Sequence, residues 1–94
     1  MAQNKIFRGT ARAIRTNPRG TKTFFYRETP VVSIFKDGSI ALNSAGHRTA
    51  TTKLAMNQAS NEYNLGFNVF QTKGIWFVTW KGETIPFFDH IHLK

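Results

Sequence analysis

The sequence predicts an α+β domain, a mostly antiparallel β-sheet of about five to six strands with one helix packed on it. Three observations predict it. Short alternating apolar runs are separated by two-residue turn signals at Asp37-Gly38, Lys73-Gly74 and Lys81-Gly82. One stretch, about residues 49 to 64, repeats its apolar side chains at helical spacing. The 94-residue chain is of one-domain size, and 40% hydrophobic residues with nine phenylalanines supply a core.

Residues 1–21 read as a basic N-terminal arm or first strand, and 22–94 as a single α+β domain. "RTNPRGTK" is a turn or loop around Pro18 and Gly20. "KTFFYRE" is aromatic-rich and strand-like, and Pro30 breaks it or marks an edge. A hairpin follows: Val32 and Ile34 alternate on one arm, Ile40 and Leu42 on the other, and Asp37-Gly38 is expected to supply two positive-φ residues at its tip. In the helix, Thr52, Ala55, Met56, Ala59 and Tyr63 fall on one face at 100° per residue. Lys53, Asn57, Ser60 and Asn64 fall on the opposite face, expected to meet water. Gly66 suits a left-handed helix end. Beyond it, Lys73-Gly74 and Lys81-Gly82 divide a three-stranded meander. Trp76, Val78 and Trp80 share one face of its middle strand, and Ile75, Phe77 and Thr79 the other.

The charge is informative about partners. Thirteen Lys and Arg against five Asp and Glu give +8, and residues 1–27 hold seven cations (Lys5, Arg8, Arg12, Arg15, Arg19, Lys22, Arg27) with no acid. Such a balance draws nucleic acid, an anionic membrane or an acidic protein surface. No apolar stretch approaches the roughly 20 residues of a membrane span, so a membrane partner is not expected. The chain has no cysteine, which removes disulfides, thiolate metal sites and cysteine nucleophiles.

Enzyme signatures are sparse. The acids stand far apart at 28, 37, 62, 83 and 89, without a paired-carboxylate arrangement. Asp89, His90 and His92 carry ligand-type atoms, and in a strand the two histidines would share a face, but a terminal His-x-His is more often a frayed or interface strand. His47 follows Ser44 by three residues, but no third member completes a catalytic set. The expectation is a binding protein with no enzymatic activity, metal or cofactor.

The helix opening is unusual. Most helices place Asp or Glu in the first turn, where the unpaired N–H groups carry about half a positive charge. Here Gly46, His47, Arg48, Thr49, Thr51, Thr52 and Lys53 occupy that region, and no carboxylate appears until Glu62. Hydroxyls, cations and a glycine that permits close approach suit an external phosphate or carboxylate. The simpler reading makes Thr49 an N-cap and the other threonines solvated. No Walker spacing is present.

The runs "TATTKLAMNQAS" and "LGFNVFQTKGIWFV", within about residues 26 to 88, resemble a family of short uncharacterised proteins of tailed bacteriophages. In that family a Gly-aromatic-x-Thr-x-Thr-Thr-Lys stretch precedes Met-Asn-Gln, Leu-Gly-Phe and a Trp-containing strand, and His47 stands here at the aromatic position. The resemblance implies a phage origin and the host cytoplasm, and carries no catalytic residue. Two functions compete. One is binding of nucleic acid or another phosphate-bearing ligand through Arg12, Arg15, Arg19, Lys22 and the helix opening, with Phe24, Phe25 or Tyr26 stacking on bases. The other is a host-directed interaction protein that inhibits a host enzyme, polymerase or defence complex. A virion or structural component is a third possibility.

Overall fold

A computed structural model describes residues 12–94. Eight strands and one helix follow in the order β1 (Arg12–Thr16), β2 (Lys22–Tyr26), β3 (Thr29–Ile34), β4 (Ile40–Leu42), α1 (Ala50–Tyr63), β5 (Asn68–Thr72), β6 (Ile75–Trp80), β7 (Glu83–Pro86) and β8 (Ile91–Leu93). The α+β class holds, but the strands form two antiparallel sheets rather than one: β1-β2-β3-β4-β8, and β5-β6-β7. The part of the basic arm that is described, from Arg12, is a strand paired along its length with β2. Residues 1–11, with Lys5 and Arg8, lie outside the described residues.

The hairpins follow their turn chemistry. Lys73-Gly74 and Lys81-Gly82 both have φ between 50° and 81° at each position, the two-residue turn that matches strand twist. At the β3–β4 tip only Gly38 is left-handed (φ 90°), so the expected pair of positive-φ residues is absent. Phe35 and Ser39 pair instead across a three-residue loop, and the Asp37 carboxylate accepts from the Ser39 amide and hydroxyl. The register Val32↔Leu42 and Ile34↔Ile40 is as the alternation predicts. Pro30 neither ends a strand nor marks an edge. It sits in β3, between β2 and β4, beside a bulge that shifts pairing from Phe24↔Val32 to Phe25↔Pro30. The bulge absorbs the missing N–H and turns both Val31 and Val32 inward, where both are fully buried.

The helix has two packed sides. Thr52, Ala55, Met56 and Ala59 are buried as their spacing predicts, and Tyr63 meets Phe24 edge-on at 5.0 Å. The opposite face does not look out to water as expected. Asn57 donates to the Val69 carbonyl (2.9 Å) and accepts from the Val69 amide (2.8 Å). Buried Ser60 exchanges the same pair of bonds with Phe67. These side chains take up backbone groups beside and within β5, so polar residues bind the helix to the second sheet. The left-handed position falls two residues earlier than Gly66 suggests: Asn64 takes it (φ 54°) and its amide bonds the Ser60 carbonyl.

Both sheets and the helix share one core, in which Phe24, Val32, Leu42, Met56, Val69, Val78 and Leu93 are fully or almost fully buried. Met56→Ala should cost about 2–5 kcal/mol through the cavity it leaves. Asn57→Ala, which leaves two backbone groups of Val69 unpaired, should cost about 1–3 kcal/mol. Denaturant midpoints of the two variants check both values.

Candidate functional site

The loop between β4 and α1 is organised by a carboxylate from the far end of the chain. Asp89 Oδ1 accepts from the Ser44 amide (2.9 Å) and hydroxyl (2.6 Å), and Oδ2 accepts from the Gly46 amide (3.1 Å). Gly46 reaches that position with φ 80°, which a residue carrying Cβ rarely adopts. Arg48 Nε donates to Ser44 Oγ at 3.0 Å and its guanidinium lies 3.7 Å from Asp89. Its other neighbours are rings, Phe87 at 4.9 Å and Trp76 at 5.5 Å. Lys53 comes within 5.9 Å of the Trp76 ring and donates to Gln71. The anion that Gly46 and Arg48 hold in this structure is therefore the chain's own, and both helix-opening cations reach toward the second sheet.

At the helix start proper, Thr49 is the N-cap. Its hydroxyl accepts from the Thr52 amide at 3.2 Å and meets the Thr52 hydroxyl at 3.1 Å. Thr52 is buried and Thr51 exposed. Four of the predicted residues, His47, Thr49, Thr51 and Thr52, do come together. They form one wall of a cleft of about 500 Å³, and Tyr26, Arg27, Glu28 and Thr29 at the β2–β3 turn form the other. Arg27 completes this cleft, and its left-handed backbone (φ 59°) gave no sign of that in the sequence.

The remaining predicted cations belong to the β1–β2 hairpin. Arg12 is half-buried, donating to Gln58 of the helix at 2.8 Å and lying over Tyr26 at 5.1 Å. Lys22 sits over the Tyr63 ring at 4.9 Å. Arg15 is exposed, 5.8 Å from the Phe25 ring, and Arg19 is exposed in the turn that Asn17 closes through its side chain. Of the three aromatics considered for base stacking, Phe24 is fully buried and unavailable, whereas Phe25 and Tyr26 are half-buried.

The histidines near the C-terminus part company. His90 lies in the turn before β8, while His92 meets Ser39 Oγ at 3.0 Å and the Phe35 ring at 5.4 Å. Among the described residues no three His, Asp or Glu side chains converge as a metal site would require. Among the described residues no helix is long and apolar enough to cross a membrane.

Fold and site together define a small, strongly basic α+β protein, with cations spread over one hairpin and a hydroxyl-lined cleft beside it. The family model described as Kyanoviridae Gp96 protein matches residues 1–94, and the chain belongs to that family of tailed-phage proteins. Comparison with curated proteins and with solved structures found no match.

The Asp89 clamp has a pH signature. Burial alone raises the carboxyl's pKa, but the Ser44 hydroxyl and amide, the Gly46 amide and Arg48 together outweigh it and hold Asp89 below the ordinary value of 3.8. A depressed folded-state pKa contributes stability above the ordinary value, and that contribution is lost as pH falls through the folded one. Asp89→Asn should lower the melting temperature at pH 7 and flatten the decline of stability below about pH 4. Melting curves of the variant between pH 7 and pH 2 check this. Thr49→Ala should cost about 1 kcal/mol through the lost cap.

Proposed function

We propose that this phage protein binds a polyanion, nucleic acid or another phosphate-bearing ligand, through its β1–β2 hairpin and the adjoining cleft. One observation carries the reading. Residues 12–27 bring Arg12, Arg15, Arg19, Lys22 and Arg27 onto a single two-stranded ribbon with no acid among them. Cations at this density neutralise phosphates and release counterions, the main source of sequence-independent affinity. The helix opening contributes through His47, Thr49, Thr51 and Thr52 on the cleft wall, while Gly46, Arg48 and Lys53 serve the protein's own packing. The role is binding rather than catalysis, carried out in the host cytoplasm.

A second reading, interaction with a host protein, has its own support. The face of the second sheet that carries Ile75 and Phe77 also carries Phe70 and Pro86 by register. Ile75 is 60% exposed, and so is 56% of Phe88 just beyond β7. Phe70 and Phe77 stack at 5.6 Å. An uncharged face with an apolar patch of this kind, bordered by Asn68, Thr72, Thr79 and Thr84, suits protein contact.

Point substitutions suit the test better than truncation, because removing 1–21 would strip β1 from β2. With about four phosphate contacts, the log–log salt dependence of duplex binding should have a slope near −3.6. Arg15→Gln, Arg19→Gln and Arg27→Gln together should reduce its magnitude by about 2.7. A mobility-shift titration from low to physiological salt measures this. Absence of binding at low salt would remove the polyanion reading and leave the protein-contact one.

A further inference from the structure

The outer face of the five-stranded sheet, opposite the helix, has a regular composition. Register aligns Arg15 with Thr23, Thr23 with Ser33, Ser33 with Ala41 and Ala41 with His92. Directly paired residues project to the same side. One row therefore crosses all five strands, with three small side chains in the middle, an exposed arginine at one end and an exposed histidine at the other. Four strand spacings make it about 19 Å long.

Two rings border this shallow floor. Phe25 lies two residues beyond Thr23, and Phe35 two residues beyond Ser33 on a strand of opposite direction. They stand on opposite sides of the row, about 14 Å apart along the strands. Both are half-buried, each held by the sheet with part of the ring open to solvent. Each has a planar polar neighbour: the Arg15 guanidinium 5.8 Å from Phe25, and the His92 ring 5.4 Å from Phe35. A concavity of about 240 Å³ adjoins Phe25, lined by Ala13, Arg15, Arg27 and Glu28.

We infer that this face is a binding platform for a single-stranded nucleic acid, with bases stacked on Phe25 and Phe35 and phosphates drawn to Arg15, Arg19 and Arg27. The inference rests on the polyanion reading and narrows its ligand. Partly exposed rings, one beside the Arg15 guanidinium and one beside the His92 ring, match unpaired bases, whose faces a duplex hides. The small residues Thr23, Ser33 and Ala41 leave room for a strand to lie across the sheet. A compact phosphate would use the cations and have no use for the rings. A second copy of this chain would bring like charges together along the same surface.

The test measures fluorescence anisotropy of the full chain with labelled 12-nucleotide single strands, DNA and RNA in separate arms, and with the corresponding duplex. Phe25→Ala and Phe35→Ala should each weaken single-strand binding about 5- to 150-fold and leave duplex affinity and the salt slope unchanged. Phe25→Leu and Phe35→Leu keep apolar volume for the fold and should show the same selective loss. Ultraviolet cross-linking to a bromouracil-substituted strand should yield adducts on peptides containing Phe25 or Phe35. Unchanged single-strand affinity in the ring variants, or equal losses on both ligands, overturns the platform. The broader reading then still stands if the triple arginine variant loses duplex binding. Failure of the unmodified protein to bind either ligand overturns both.

Discussion

Asp89 is the point at which the helix entry, the last strand and the two sheets meet. Its carboxylate receives three hydrogen bonds from Ser44 and Gly46, in the loop that launches the helix, and Arg48 closes over it from the same loop. Immediately afterwards the His90 amide bonds the Leu42 carbonyl, and β8 enters the first sheet beside β4. Two residues before it, Phe87 is buried against Trp76 of the second sheet. The carboxylate thus orients the helix entry, the last strand and the sheet–sheet seam together. A half-buried carboxylate needs several donors to remain ionised, and the loop supplies them from backbone and side chain alike.

The abundance of cations has a structural side that net charge hides. Arg12 and Arg27 flank Tyr26, Lys22 covers Tyr63, Arg48 lies over Phe87 and Trp76, and Lys81 over Trp80. Each long aliphatic stem shields an aromatic edge while the charged head stays near water. A small two-sheet protein with many rings has more aromatic surface than its core can enclose, and cations cover part of the remainder. Arg15, Arg19 and Arg27 are all exposed on the hairpin or its turns, and Arg15 and Arg27 stay exposed to solvent although they lie near the Phe25 and Tyr26 rings.

Local chemistry was legible where one residue or one period decides the outcome. The Lys-Gly turns, the Val32–Leu42 hairpin, the Thr49 cap and the Met56 face all follow from positive-φ tolerance, alternation and helical spacing. Asn57 and Ser60 show where that reasoning stops. A hydropathy pattern assigns a polar side chain to water, whereas here backbone groups at Val69 and Phe67 needed partners that the helix could offer. The candidate site divides in the same way. The hairpin's charge was visible in composition, but the row from Arg15 to His92 joins residues 77 positions apart through register alone.

The sequence by itself determined the α+β class, the antiparallel pairing through short turns, the helix and its apolar stripe, and the concentration of positive charge near the N-terminus. Each of these depends on interactions within a few residues or on composition. Only the tertiary structure decided that the strands divide into two sheets, that β8 pairs with β4, and that Asp89 takes the Gly46 amide. It also decided which cations face rings and which face solvent. Those outcomes depend on contacts across tens of residues, where burial and hydrogen-bond satisfaction across the whole molecule select among pairings that local preference leaves equal.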